Sequence, residues 1–284
     1  MPQLSRREFR SLVPAVNAAL QESDAIILHY LHRARARRKP DGSEVTIADR
    51  KAEQLLRALL RAAWPEDAVL GEEYGGAVAR RGRCWLLDPI DGTASYVLGM
   101  PMFGSLLSLL IDGEPVFGCI HLPALQETTY AAVGHGCWLL RKGGKARRVR
   151  VGSPRRLSQA KVGMTGVKER AWFDRPGGRE VAALAPQVGR FRMVGDCVQY
   201  ALMCRGVLDA AVDPFMKPWD IAPLVPCVLE AGGSISDLNG EISQLIDRNS
   251  IVAASSTALR REIVRAAALT WKPSSTPPAS AHRC

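Results

Sequence analysis

The 284-residue sequence lacks several features, and each absence narrows its function. No apolar run approaches the roughly 20 residues needed to span a bilayer, so no membrane role is expected. Met1–Arg10 lacks the apolar stretch of a secretory signal. There is no Cys-x-x-Cys pair and no Cys/His spacing suited to zinc. The seven cysteines, Cys84, Cys119, Cys137, Cys197, Cys204, Cys227 and Cys284, are an odd number scattered mostly through apolar runs. Such a set reads as buried thiols in a reducing compartment, and a cytoplasmic location is the expectation. No internal repeat is present. Hydrophobic residues make up 47% of the chain, which excludes wholesale disorder and is ample for a large core in one or two domains.

Acidic residues are missing from two stretches. The formal charge is +10, from 38 Lys and Arg against 28 Asp and Glu. Arg33–Lys39 contributes five basic residues and Arg141–Arg156 eight, with no acid in either. Without those thirteen charges the +10 becomes −3. The chain is therefore a slightly acidic body carrying two basic patches. Solvated loops or hairpin ends are the plain reading of both patches. Nucleic-acid contact is possible but not favoured, because no interleaved aromatics or recognised module accompany them.

Ser5-Arg-Arg-Glu8 has capping-box spacing and predicts a helix running to about Arg37. Thr46-Ile-Ala-Asp49 predicts the cap of a second, antiparallel helix. Strand-like runs follow at Ala68–Gly71, Cys84–Leu87, Met102–Ile111, Pro115–Leu122, Glu127–Ala132 and Cys137–Arg141. Their spacing, with Asp112-Gly113 as a turn, predicts an antiparallel meander that continues into a basic hairpin. The second half alternates short strands with helices, which argues for an α/β layer. Its strands are expected near Lys161–Met164, Phe191–Val194, Leu208–Val212, Ser234–Asp237 and Ile251–Ala254. Its helices are expected at Gly178–Ala185, Cys197–Cys204, Ile221–Ala231 and Thr257–Ala268. The expected division is 1–153, 154–271 and a disordered tail at 272–284, with Trp271 as the last anchor.

The chemistry is concentrated in acids at predicted element ends. Glu72 and Glu73 follow a strand and a glycine. Asp88 and Asp91 lie in Trp85-Leu-Leu-Asp-Pro-Ile-Asp-Gly-Thr93, and Asp220 lies in Lys217-Pro-Trp-Asp-Ile221. Pro89 fixes one φ angle and blocks continuation of helix or strand, so two carboxylates can turn to one side with the Ile90 carbonyl between them. Hard cations such as Mg²⁺ take such oxygen ligands. Gly92 and Thr93 open a possible helix whose free N–H groups suit a phosphate. Each piece alone has a structural reading. Asp88 could cap a tight turn, Gly71-Glu72-Glu73 could be a solvated loop, and Asp220 could be an N-cap. Asp49 also has a capping position. Their joint occurrence favours one cleft.

Glu72-Glu73, Asp88-Pro-Ile-Asp91-Gly-Thr93, Trp219-Asp220-Ile-Ala222 and Glu230-Ala-Gly-Gly233 resemble the inositol monophosphatase family, in family order. Val45-Thr-Ile-Ala-Asp49, with Glu53 one turn on, is similar to its upstream signature. The resemblance covers nearly the whole chain apart from the tail. It implies an α/β fold, an alternating αβαβα sandwich, and a lithium-sensitive, Mg²⁺-dependent phosphomonoesterase, commonly a homodimer. It further implies two or three Mg²⁺ ions. Glu72, Asp88 and the Ile90 carbonyl would hold one ion, and Asp88, Asp91 and Asp220 a second. A third, weaker ion would use Glu72. Thr93 paired with Asp49 would position and activate the attacking water. Backbone groups of Gly92, Thr93 and Ala94 would bind phosphate. Val194-Gly-Asp196-Cys-Val-Gln-Tyr-Ala201 and Ala222-Pro-Leu-Val-Pro226 resemble the histidinol-phosphate phosphatase branch. Asp196 and Asp213 would then face the cationic leaving alcohol, although Asp196 could equally be a helix N-cap. Inositol monophosphate is the alternative substrate. An RNA- or transcription-associated binding role is the alternative from another class, with the basic patches as its electrostatics.

Overall fold

Two capping boxes start the first two helices of the computed structural model, which describes residues 2–40, 42–153, 155–165 and 177–270. The expected tail and Trp271 lie outside the described residues. Helix α1 spans Arg6–Tyr30, and Ser5 and Glu8 exchange side-chain and backbone hydrogen bonds at its start. It ends well before Arg37. Leu31 leaves helical geometry and His32 has φ 66°, so the basic run cannot extend the helix. The run instead forms a two-residue strand, β1 (Arg37–Arg38), paired with β2 (Glu44–Val45). Helix α2 spans Ile47–Ala63 and begins at the predicted Thr46 cap.

Seven strands then form the first sheet, in the order β3 (Ala68–Gly71), β4 (Arg83–Asp91), β5 (Gly104–Ile111), β6 (Glu114–Leu122), β7 (Glu127–Ala132), β8 (Gly136–Arg141) and β9 (Arg147–Val149). From β4 to β9 it is the predicted meander. The β3–β4 pair is parallel, contrary to the fully antiparallel expectation. A second correction concerns Pro89. Strand β4 does not stop at Leu87 but runs through the proline to Asp91, with a register shift between Asp88 and Asp91. A proline is tolerated in a strand at such an irregularity because no ladder hydrogen bond needs its nitrogen there. Between β4 and β5 lies the short helix α3 (Thr93–Val97).

The second sheet has the order β11-β10-β12-β14-β13. Its strands are β10 (Lys161–Met164), β11 (Arg190–Met193), β12 (Ala210–Asp213), β13 (Ser234–Ser236) and β14 (Ile251–Ala254). Helices α4 (Gly178–Ala182), α5 (Asp196–Cys204), α6 (Pro218–Glu230) and α7 (Thr257–Thr270) accompany it. Helix α4 is shorter than the predicted Gly178–Ala185, because a turn of tighter helix containing Pro186 follows it.

Period-two alternation distributes the core. Leu107 and Leu109 of β5 face α1 and α2, together with Trp85, Leu87 and Phe117. Leu106 faces the other way, with Ile120, Leu122, Ala131 and Leu139, against α5 and α6. The same two helices also pack on Ala211, Ile235, Ile251 and Ala253 of the second sheet. That sheet's outer face, Val162, Met164, Ala210, Val212 and Val252, is covered by Val181, Leu184, Leu259 and Ile263. The layers run helix, sheet, helix, sheet, helix, the predicted αβαβα sandwich. The six described cysteines are buried and free, as their apolar contexts predicted. Among the described residues, no helix is long and apolar enough to cross a membrane.

Candidate active site

The end of β4 and the start of α6 converge on one acidic cluster. The register shift in β4 turns Asp88 and Asp91 to the same side. The first turn of α6 presents Asp220, whose Oδ2 also accepts the Lys217 N–H at 2.7 Å. Asp220 is therefore not the N-cap itself but the third residue of the helix. One carboxylate oxygen from each of Asp88, Asp91 and Asp220 lies within 4.8 Å of the others. Asp88 is buried, while Asp91 and Asp220 are half-buried. Asp88 also accepts the Ile90 N–H at 2.9 Å, so its tight-turn role and its place in the cluster coexist. Asp91 is held from the far half of the chain, by the Cys197 N–H at 2.5 Å.

Burial pushes the Asp88 carboxyl well above its ordinary range, and the charges of Glu72, Asp91, Asp220 and Asp49 add to this. So much like charge is tolerable in a folded protein when a cation neutralises it. The donors are all carboxylate oxygens, with neither sulfur nor imidazole among them, and they converge from separate elements. That set fits a hard divalent cation.

Glu72 lies just past β3, and its N–H donates to the Leu87 carbonyl at 3.2 Å, next to Asp88. The Gly71-Glu72-Glu73 segment is not a solvated loop. The Glu72 and Glu73 side chains are 19% and 3% exposed, and both pair with Lys39 Nζ, at 2.8 and 2.5 Å. Burial raises the Glu73 carboxyl to about 7, aided by Glu72 and Asp49 and opposed by Lys39. Burial alone would lower the Lys39 ammonium, but the two glutamates outweigh it and push it up. Lys39 belongs to a basic run in the sequence, and nothing in its local pattern marks it as a partner of residues so distant in sequence.

Asp49 has two distinct oxygen contacts. Its Oδ2 accepts the Thr46 N–H at 2.8 Å and the Thr46 hydroxyl at 2.6 Å, which caps α2. Its Oδ1 lies 3.3 Å from Thr93 Oγ1, which is also 3.1 Å from the Ile90 carbonyl oxygen. Burial raises the Asp49 carboxyl despite those capping bonds. Asp49 thus caps α2 with one oxygen and meets Thr93 with the other.

Gly92 has φ 90°, a left-handed conformation that glycine adopts readily and that turns β4 into α3. Thr93 and Ala94 follow it as the first residues of α3. A methyl group on Gly92 would lie 2.9 Å from Asp196 Oδ2 and 2.9 Å from the Met102 carbonyl oxygen. Asp196 therefore sits directly against the segment. It is the first residue of α5 rather than its N-cap, which is Gly195, and it has φ 47°. Thr165 Oγ1 lies 3.5 Å from its Oδ1. Asp213 ends β12, is buried, and accepts the Phe215 N–H at 3.1 Å. Burial raises the Tyr200 phenol, and the charges of Asp213, Asp91, Asp220 and Asp196 reinforce the shift.

Comparison with known proteins places the chain in a family. The inositol monophosphatase family model covers residues 10–272. A histidinol-phosphatase of Mycobacterium tuberculosis is 41% identical over 203 residues, 71% of this chain and 77% of that protein. One from Chlorobaculum parvum is 36% identical over 228 residues, 80% of this chain and 85% of its own. The solved structure of a Thermotoga maritima IMPase aligns with a TM-score of 0.80 at 25% identity, covering 92% of this chain and 98% of that one. The chain belongs to the inositol monophosphatase family, and it is a metal-dependent phosphoric monoester hydrolase.

Proposed function

We propose that the protein releases phosphate from L-histidinol phosphate with Mg²⁺ as its cofactor. The observation that carries this reading is Asp196, whose carboxylate touches the Gly92 segment where the phosphate would sit. Histidinol carries an ammonium group and a protonatable imidazole, and each gains from a carboxylate partner. Asp196 and Asp213 would supply two such partners. A neutral polyol would need hydrogen bonds there, but no compensating charge.

Glu72, Asp88 and the Ile90 carbonyl would hold one Mg²⁺; Asp88, Asp91 and Asp220 would hold a second, and Glu72 would contribute to a third. Bound Mg²⁺ makes water acidic enough to act as a nucleophile and neutralises charge on the phosphoryl and leaving oxygens. The chain's own residues supply the geometry. The Thr93 hydroxyl, donating to Asp49, orients the attacking water and passes its proton to a carboxylate whose affinity for protons is already raised by burial. The backbone groups of Gly92, Thr93 and Ala94 grip the phosphate while Asp196 and Asp213 hold the alcohol.

Phosphate release from L-histidinol phosphate and from inositol 1-phosphate, each at saturating Mg²⁺, tests the assignment. A higher kcat/KM on histidinol phosphate is expected. Equal or greater activity on inositol phosphate overturns it. Asp196→Asn should raise KM for histidinol phosphate about 10–100-fold, the value of one charged hydrogen bond, and leave a neutral alcohol phosphate much less affected.

A further inference from the structure

Helix α2 carries three charged residues one turn apart, Asp49, Glu53 and Arg57. Such spacing aligns them on one face. Asp49 is the member that meets Thr93. The other two do something different. Glu53 is fully buried, and its carboxylate accepts the Glu73 N–H at 2.7 Å and the Tyr74 N–H at 3.1 Å. Arg57 Nε donates to the same carboxylate at 2.7 Å. Its guanidinium then reaches the Val69 carbonyl at 3.2 Å and also the Gly75 carbonyl.

Four polar contacts therefore grip residues 69–75, and the Arg57–Glu53 ion pair ties their two side chains together. The loop folds onto itself through paired hydrogen bonds between Gly71 and Gly75. Gly71 leaves room for the clamp, since a methyl there would lie 2.3 Å from Glu53 Oε1. Glu72 lies inside this loop, between two residues that the clamp holds. Its own N–H is fixed to Leu87, so its backbone has little freedom. An acid buried in a helix needs partners, and a buried arginine does too; the pair obtains them by ordering the loop.

We infer that Glu53 and Arg57 are a positioning pair that fixes Glu72 and thereby sets the affinity of the site for its divalent cation. Neither residue touches substrate or the acidic cluster. Their effect is exerted through the Glu72 backbone, in the way that outer partners orient metal ligands. One helix face thus serves both halves of the site, with Asp49 on the water side and Glu53 and Arg57 on the metal side. The inference rests on Glu72 being a metal ligand.

The test is calorimetric titration of Mg²⁺ into the full-length enzyme without substrate, together with the Mg²⁺ dependence of phosphate release. Glu53→Gln keeps the shape but removes the charge. It should weaken Mg²⁺ binding about 10–100-fold while kcat at saturating Mg²⁺ stays within about threefold of wild type. Glu72→Gln should weaken binding at least as much, and the double variant should bind no more weakly than Glu72→Gln alone. A lower melting temperature with unchanged Mg²⁺ affinity means that Glu53 only supports the fold, and it overturns the inference. A further loss in the double variant also overturns it, because Glu53 would then act by another route. If Glu72→Gln itself binds Mg²⁺ normally, the ligand assignment fails instead. Should Glu53→Gln not fold, Arg57→Lys retains the charge but cannot span both loop carbonyls. Unchanged Mg²⁺ affinity in that variant would equally overturn the inference.

Discussion

Asp49→Asn separates the two roles of a single carboxylate. In the wild type, Oδ2 caps α2 with two hydrogen bonds from Thr46, and Oδ1 faces the Thr93 hydroxyl. Asparagine can place its carbonyl oxygen at the capping position and its NH₂ toward Thr93. The cap then persists with neutral rather than charged bonds, a loss of about 1 kcal/mol. Removing a buried charge whose protonation is already favoured offsets part of this. The net change in stability should be within about 1 kcal/mol, or about 2–4 °C in Tm. The catalytic consequence is larger. An NH₂ group cannot accept a proton, so Thr93 loses its route for relaying one from water. General-base losses of this kind are typically about 10²–10⁴-fold, or roughly 3–5 kcal/mol of barrier. Phosphate release at saturating substrate and Mg²⁺, measured beside thermal unfolding, gives both quantities. Thr93→Val removes the hydroxyl without touching the cap and should give a similar loss. The double variant should lose little more than either single one, because the two residues act as a unit. A variant that melts much earlier yet turns over at a near-normal rate would show Asp49 to be a cap alone.

Two further substitutions probe the frame around the site. Gly92→Ala forces a left-handed conformation on an L-residue, at about 1–2 kcal/mol, and drives its methyl against the Met102 carbonyl. Both Tm and kcat should fall, and unchanged thermal unfolding would mean that the contact is looser than its geometry. Glu127→Gln breaks ion pairs with Arg141 and Arg205. Burial works against the Glu127 charge, but the two arginines prevail and hold its carboxyl below the usual value. A depressed folded-state value stabilises the protein above the unfolded value, and that gain is lost as the pH falls through the folded one. The Tm gap between wild type and variant should reflect about 1–2 kcal/mol near pH 7 and close below about pH 4. A gap that does not change with pH would remove the ion pairs as its cause.

Local signals predicted the start of elements better than their ends. Ser5 with Glu8 and Thr46 with Asp49 are written in four consecutive residues each, and both boxes formed as read. The end of α1 depended on Leu31 and His32 leaving helical geometry, where no proline or glycine marks the break. Pro89 misled in the opposite way. Its effect on a strand depends on whether a partner needs its nitrogen, and the register shift against β5 removes that need. The gathering of Asp88, Asp91 and Asp220 was legible because a cluster of acids suits a hard cation. Their supporters were not, because Lys39, Cys197 and Thr165 act across long sequence separations through a single atom each. Arg57 was closer to legible, since its spacing from Glu53 is a common helical pair, but the loop it holds was invisible.

The middle helices divide their length unequally between chemistry and packing. No side chain of α5 is exposed; in α6, only Leu229 is. Both helices are enclosed between two sheets. A substitution in their inner turns must therefore fit two surfaces at once, and few can. The first turn of each is different: Asp196 and Asp220 stand there, half-buried, near the acidic cluster. Those two turns can accept a new side chain while the rest of the layer stays fixed.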